Sequence, residues 1–154
     1  MIAVERAVAA PPERVFDFLA DLRNHWRLER RFLELDELGQ DGATIRLKGP
    51  LGLSRTVQTR VLEAERPVRV AGRADLRGGT VGLVAWDIGP SGSGSIVRLS
   101  AEVPEASPWN RLFLALGGRA WFEGLFRRAL ENLETRARRR VLGSERSVDS
   151  RSTI

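Results

Sequence analysis

His25 is the only histidine in the chain, and near neutral pH an imidazole is the natural side chain to take up or release a proton. It sits between Asn24 and Trp26, with Asp21 and Glu29 as the nearest carboxylates along the sequence. One histidine in a short polar turn is expected to be solvated, and local charge there builds neither a catalytic pair nor a metal site. There is no cysteine, so thiolate nucleophiles, disulfides and Cys-based metal sites are excluded. No group of His, Asp and Glu has metal-ligand spacing, and no metal or other cofactor is expected. Gly89 to Ser95 is rich in glycine and serine, but it joins two strands instead of opening a helix and makes no phosphate cradle. No catalytic residue is assigned.

What remains is the chemistry of apolar and aromatic surface. Trp86 is in phase with Val84 and Ile88, so one strand face carries all three. Leu112, Phe113 and Leu116 make the first turns of the last helix apolar nearly all round, the pattern of a buried segment or of one lining an opening for a greasy ligand. Trp109 begins that helix, in position for a cavity mouth. Trp121 falls on the side opposite Leu112 and is expected at a part-exposed surface or a dimer contact. The expected ligand wall is Trp26, Phe32, Ile45, Val57, Thr59, Val84, Trp86, Leu99, Trp109, Leu112, Phe113 and Leu116.

The charges fit a solvated exterior. Arg46, Arg60, Arg73 and Arg98 lie in the polar phase of their strands, and Asp87 is opposite in phase to Trp86, so all are expected on the convex face. Residues 136–154 hold six arginines against Glu145 and Asp149, which accounts for most of the net charge of +5. The body is nearly neutral, and a nucleic-acid-binding surface is not indicated. Arg136, Arg138, Arg139 and Arg140 complement a helix C-terminus; peripheral contact with anionic lipid is the sharper alternative. The N-terminus lacks the basic and apolar regions of a signal peptide, and no apolar run approaches the ~20 residues that span a bilayer. A cytoplasmic protein is the default expectation, with oligomeric state open.

These residues need elements to hold them. With 42% hydrophobic and 29% charged residues, the chain has the composition of one globular domain. Residues 2–9 read as a strand. Pro11-Pro12-Glu13 opens a helix striped by Val15, Phe16, Phe18, Leu19 and Leu22, and a short helix or turn covers Arg23 to Arg30. Strands follow at 32–38, 43–48, 55–62, 68–74, 80–88 and 96–103, separated by Gly- and Pro-containing turns. In the fourth of the chain's seven strands Val57, Thr59 and Val61 share one face; in the last, Val97, Leu99, Ala101 and Val103 do. Alternation of this kind gives an antiparallel sheet with one wet face and one covered face. The cover is a long helix capped by Ser107 with Pro108 at its first position, running to Arg140 and kinked at Gly117-Gly118. Residues 143–154 are polar and rich in serine and arginine, expected as a disordered tail behind a domain at 1–142.

The order of elements, together with Val4-Glu5-Arg6-Ala7-Val8-Ala9-Ala10-Pro11-Pro12-Glu13-Arg14-Val15-Phe16-Asp17-Phe18-Leu19-Ala20-Asp21, the Asn24-His25-Trp26 segment, the Gly-rich hairpin before Ile96 and the closing helix, resembles the START-like helix-grip superfamily (SRPBCC), in its polyketide cyclase/dehydrase and lipid-transport branch. The resemblance spans roughly residues 2–141. It implies an α+β helix-grip fold, a curved antiparallel sheet of six to seven strands around the long C-terminal helix, with an apolar cavity between them. It also implies a hydrophobic small molecule, such as a lipid or polyketide, as partner. Catalysis of the cyclase or dehydrase type in the same cavity is the alternative; the inward positions Val57, Thr59, Val61, Val97 and Leu99 offer it no ionisable pair.

Overall fold

A computed structural model describes residues 1–149 apart from 26, 27, 29, 30, 50, 51 and 77, and apart from the side chains of 140–149. Chain order is β1 (Ile2–Val8), α1 (Pro12–Ala20), α2 (Leu22–His25), β2 (Leu33–Leu38), β3 (Gly42–Lys48), β4 (Ser54–Glu65), β5 (Arg69–Leu76), β6 (Thr80–Ser91), β7 (Gly94–Glu105), α3 (Pro108–Phe113), a π-helical turn (Leu114–Gly118) and α4 (Arg119–Asp149). The seven strands form one open sheet in the order β1-β7-β6-β5-β4-β3-β2, antiparallel at every pairing. The fold is the α+β helix grip.

The period-2 pattern places its apolar phase on the concave face. Directly opposed residues share a face, so the rows Val57–Leu76–Thr80 and Val70–Trp86–Leu99 run across the sheet. Register slips between Val61 and Glu63 on β4 and between Val81 and Leu83 on β6 mark bulges, which bend strands and increase their twist. Asp87 on the convex side accepts from Arg69. Arg46 pairs with Asp36 at 3.5 Å and Arg73 with Asp75 at 2.7 Å, and Arg60 and Arg98 are exposed.

Two separate apolar clusters hold the chain together. The larger joins Val15, Phe16 and Leu19 of α1 to Trp86, Ile88, Val97 and Leu99 of the sheet and to Phe126, Ala129, Leu130 and Leu133 of α4. The smaller, Ala43, Ile45 and Val57 with Leu33, Leu47, Ala74 and Leu76 packed against it, lies in the β2–β5 wing. α4 leans on β1, and Arg6 of β1 reaches Glu131 at 3.6 Å and bonds Glu134. Arg138 closes on the same Glu134 at 2.7 Å, so one cation of the C-terminal cluster is already paired. The helical backbone continues to Asp149, beyond the Leu142 boundary expected from composition.

The helix divides where its sequence has paired glycines. Gly117 takes φ +113° and Leu116 departs from helical geometry, a backbone that residues with a Cβ rarely adopt. A side chain at Gly118 would collide with the Phe113 ring. Ser107 caps α3, its hydroxyl accepting from the Asn110 N–H at 3.4 Å.

Candidate ligand cavity

The space between the two clusters is a cavity of about 300 Å³, at the lower end of the range of small-molecule sites. It stays open because of its floor. Across the middle of the concave face the row Thr59–Ala74–Gly82 carries only small side chains, and all three residues line the cavity. The Thr59 hydroxyl donates to the Ala43 carbonyl at 3.0 Å, so even this polar group is turned to the backbone.

The roof is aromatic. Phe113, Trp121, Phe122 and Phe126 line it together with Leu114, Leu125 and Ala129. Neighbouring rings meet edge to face, with centroids 4.9 Å apart for Trp121–Phe122 and 6.4 Å for Phe113–Phe122, the geometry the ring quadrupole favours.

The expected wall residues divide into groups. Ile45, Val57, Thr59, Val84, Trp86, Leu99 and Phe113 come together around the cavity. Phe32 is a step behind, bracing Trp121 edge-on at 5.6 Å. Trp109, Leu112 and Leu116 lie outside the wall and face solvent, at 76%, 47% and 77% exposure. Their spacing of three and four residues puts them on one helical side, and Asn110, Phe113 and Leu114 occupy the other. Trp26 lies outside the described residues. Trp121, expected at the surface, is a roof residue. Phasing alone placed it opposite Leu112, and the structure shows that Leu112 is on the wet side.

His25 is also displaced from expectation. It is at the cavity wall, its ring edge-on to Trp86 at 5.8 Å, and not in a solvated loop. Its Nε2 bonds the Leu19 carbonyl; since a carbonyl only accepts, Nε2 carries the hydrogen. Removal from water holds its pKa below the usual 6.5, against the Leu19 bond and the Asp21 charge, which raise it. A depressed folded-state pKa means that the unfolded chain binds the proton more readily. Stability is therefore fully present above pH 6.5 and falls as pH drops below it. Urea midpoints measured from neutral pH downward are expected to decline in wild type before carboxylates begin to titrate, and to stay level in His25→Asn. Parallel declines in the two proteins would refute this assignment.

The opposite end of the cavity is polar. Arg55 of β4, Thr80 of β6 and Asn110 of α3 all line it, and Thr80 and Asn110 are buried. Arg55 Nη1 donates to Asn110 Oδ1, and Asn110 Nδ2 donates to Thr80 Oγ1. No signal short of the register links them. Arg55 is in phase with Val57 and Thr59, which could have put it on the concave face, but residues 80 and 110 meet it only in three dimensions. Among the described residues no group of three or more His, Cys, Asp or Glu could hold a metal ion, and no helix is long and apolar enough to cross a membrane.

A concave antiparallel sheet closed over an apolar cavity by a long C-terminal helix defines a helix-grip protein. The chain belongs to the polyketide cyclase/dehydrase and lipid transport family, whose profile it matches over residues 1–138. Among solved structures it resembles a protein from Thermus thermophilus at 20% identity and TM-score 0.66, covering 88% of this chain and 95% of that one. A Rhodobacter sphaeroides protein is similar at 26% identity and TM-score 0.58, with 86% and 89% covered. DynU16, a protein in the dynemicin biosynthetic locus, is similar at 20% identity and TM-score 0.57; the match covers 88% of this chain and 48% of DynU16. No curated protein matches the sequence.

Proposed function

We propose that this protein binds, and carries, an apolar small molecule of lipid or polyketide type in the cavity, without catalysis of its own. One observation carries the reading: an almost wholly apolar space of about 300 Å³ lies between two separate cores, over a floor whose central row is too small to fill it. Burying a ligand there is favourable by about 25 cal/mol per Å² of apolar surface. Ile45, Val57, Thr59, Val84, Trp86, Leu99 and Phe113 are the proposed contacts, joined by Trp121 and Phe122. Family membership and a structural neighbour from a biosynthetic locus support the ligand class. Peripheral contact of Arg136, Arg138, Arg139 and Arg140 with anionic lipid would serve delivery, at about 1 kcal/mol per residue near the surface.

The rival, an enzyme of the cyclase or dehydrase type, is favoured by His25 alone. A neutral imidazole at the cavity wall can take a proton and, as imidazolium, return it to a leaving oxygen. One experiment separates the two. Native mass spectrometry of protein purified from its source is expected to find a co-purifying apolar molecule whose mass is unchanged after incubation. Loss of water from it would move the assignment to catalysis, and protein that is repeatedly empty and takes up nothing from a lipid and polyketide panel would end both readings.

A further inference from the structure

Arg55, Arg60 and Arg98 are the arginines of the sheet without an ion pair among the described residues, and of the three Arg55 alone bonds a buried side chain in the cavity. Arg6, Arg46, Arg69 and Arg73 each meet a carboxylate. Arg55 forms no ion pair among the described residues, and its one hydrogen-bond partner there is the neutral Asn110 side chain. An arginine can only donate, so it faces Asn110 Oδ1 and leaves Nδ2 to turn toward Thr80. Thr80 Oγ1 then accepts twice, from Asn110 Nδ2 and from the Ser107 N–H at 3.0 Å. Both its lone pairs are used, and its own O–H has no acceptor among the described residues.

The cluster therefore has an excess of donors. The buried Thr80 O–H remains unmatched, against at most one lone pair on Asn110 Oδ1, and the Arg55 guanidinium, which is open to solvent, brings further N–H donors that a ligand can take over from water. Thr80 and Asn110 are 5% and 7% exposed, so they are largely cut off from bulk water, and Arg55 adds a full positive charge. An anionic acceptor complements this arrangement; a hydroxyl or an amine, each bringing a donor of its own, does so less well. The wall toward Trp86 and Val70 is apolar. We infer that Arg55, Asn110 and Thr80 form a carboxylate subsite, which holds the acid end of an apolar carboxylic acid while its body runs toward Trp86. The inference rests on the cavity-binding reading and narrows its ligand class.

Calorimetric titration of the full chain tests it with two acids and their methyl esters: lauric acid for an acyl chain and naphthoic acid for a fused-ring product. Charge-assisted hydrogen bonds predict that the acid whose body fits binds about tenfold or more tighter than its ester, with a preference that shrinks as salt rises. Whichever acid binds tighter identifies the body. Arg55 is exposed, so Arg55→Met should fold; it is expected to keep the ester affinity and lose the preference for acid, while Arg55→Lys retains part of it. Equal binding of acid and ester by wild type, or an unchanged preference in Arg55→Met, would overturn the subsite and leave the cavity reading standing. Failure of all four compounds to bind would remove the cavity reading and the subsite together.

Discussion

Replacing Ala74 with tryptophan is expected to abolish uptake of lauric acid, by a factor of about a hundred or more, in a protein that melts no lower than wild type. Ala74 is at the centre of the floor, opposite Thr59 on one side and Gly82 on the other, beneath the aromatic roof. An indole there projects into the space the ligand would use. Overpacking a dense core costs about 1–3 kcal/mol because neighbours must leave their rotamers. Here the added ring enters existing free volume of about 300 Å³ and covers apolar wall. The variant thus separates folding from binding. Calorimetry gives the affinity, and thermal unfolding without ligand gives the stability. Full binding by a well-folded Ala74→Trp protein would place the ligand elsewhere, with the solvent-facing side of Trp109, Leu112 and Leu116 as the next surface to test.

The fold was legible because its signals are local and repeated. Val57, Thr59 and Val61 alternate with Thr56, Gln58 and Arg60, and each strand that repeats this pattern confirms the concave phase of its neighbour. Pro12 and Ser107 mark helix starts, and Gly117-Gly118 marks the break between α3 and α4. The site was legible only in part. Ile45, Val84, Trp86 and Leu99 follow from strand phase alone, since one side of the sheet had to be covered. The helical residues did not follow, because Leu112 and Phe113 are equally apolar and only the docking angle decides which faces inward. Trp121 was misplaced for the same reason: it is opposite Leu112, and Leu112 is on the wet side. His25 and the Arg55–Asn110–Thr80 group depend on contacts between distant segments, such as residue 55 with residue 110, which no spacing in the sequence records.

Leu130→Ala and Leu76→Ala are expected to differ sharply in cost although both delete the same atoms from an apolar residue. Leu130 is 1% exposed in the larger cluster, with α1 and the sheet packed around it. Truncation there removes buried contacts and opens a new void in a region without slack, a loss of about 2–5 kcal/mol. For a chain of this length, each kcal/mol lowers the melting temperature by about 2–4 °C. Leu76 is half-buried at the edge of the smaller cluster and already faces the cavity on one side. Its loss enlarges a void that exists, so roughly 1 kcal/mol is expected. The measurement is calorimetric unfolding of both variants freed of ligand, because a bound molecule stabilises the native state by an amount that grows with the logarithm of its concentration relative to its Kd and would mask the difference. Comparable losses would mean that the cavity wall carries as much of the stability as the core beneath α4. In that case the space over Thr59, Ala74 and Gly82 would behave as a collapsed interior and could not admit a ligand without a structural change.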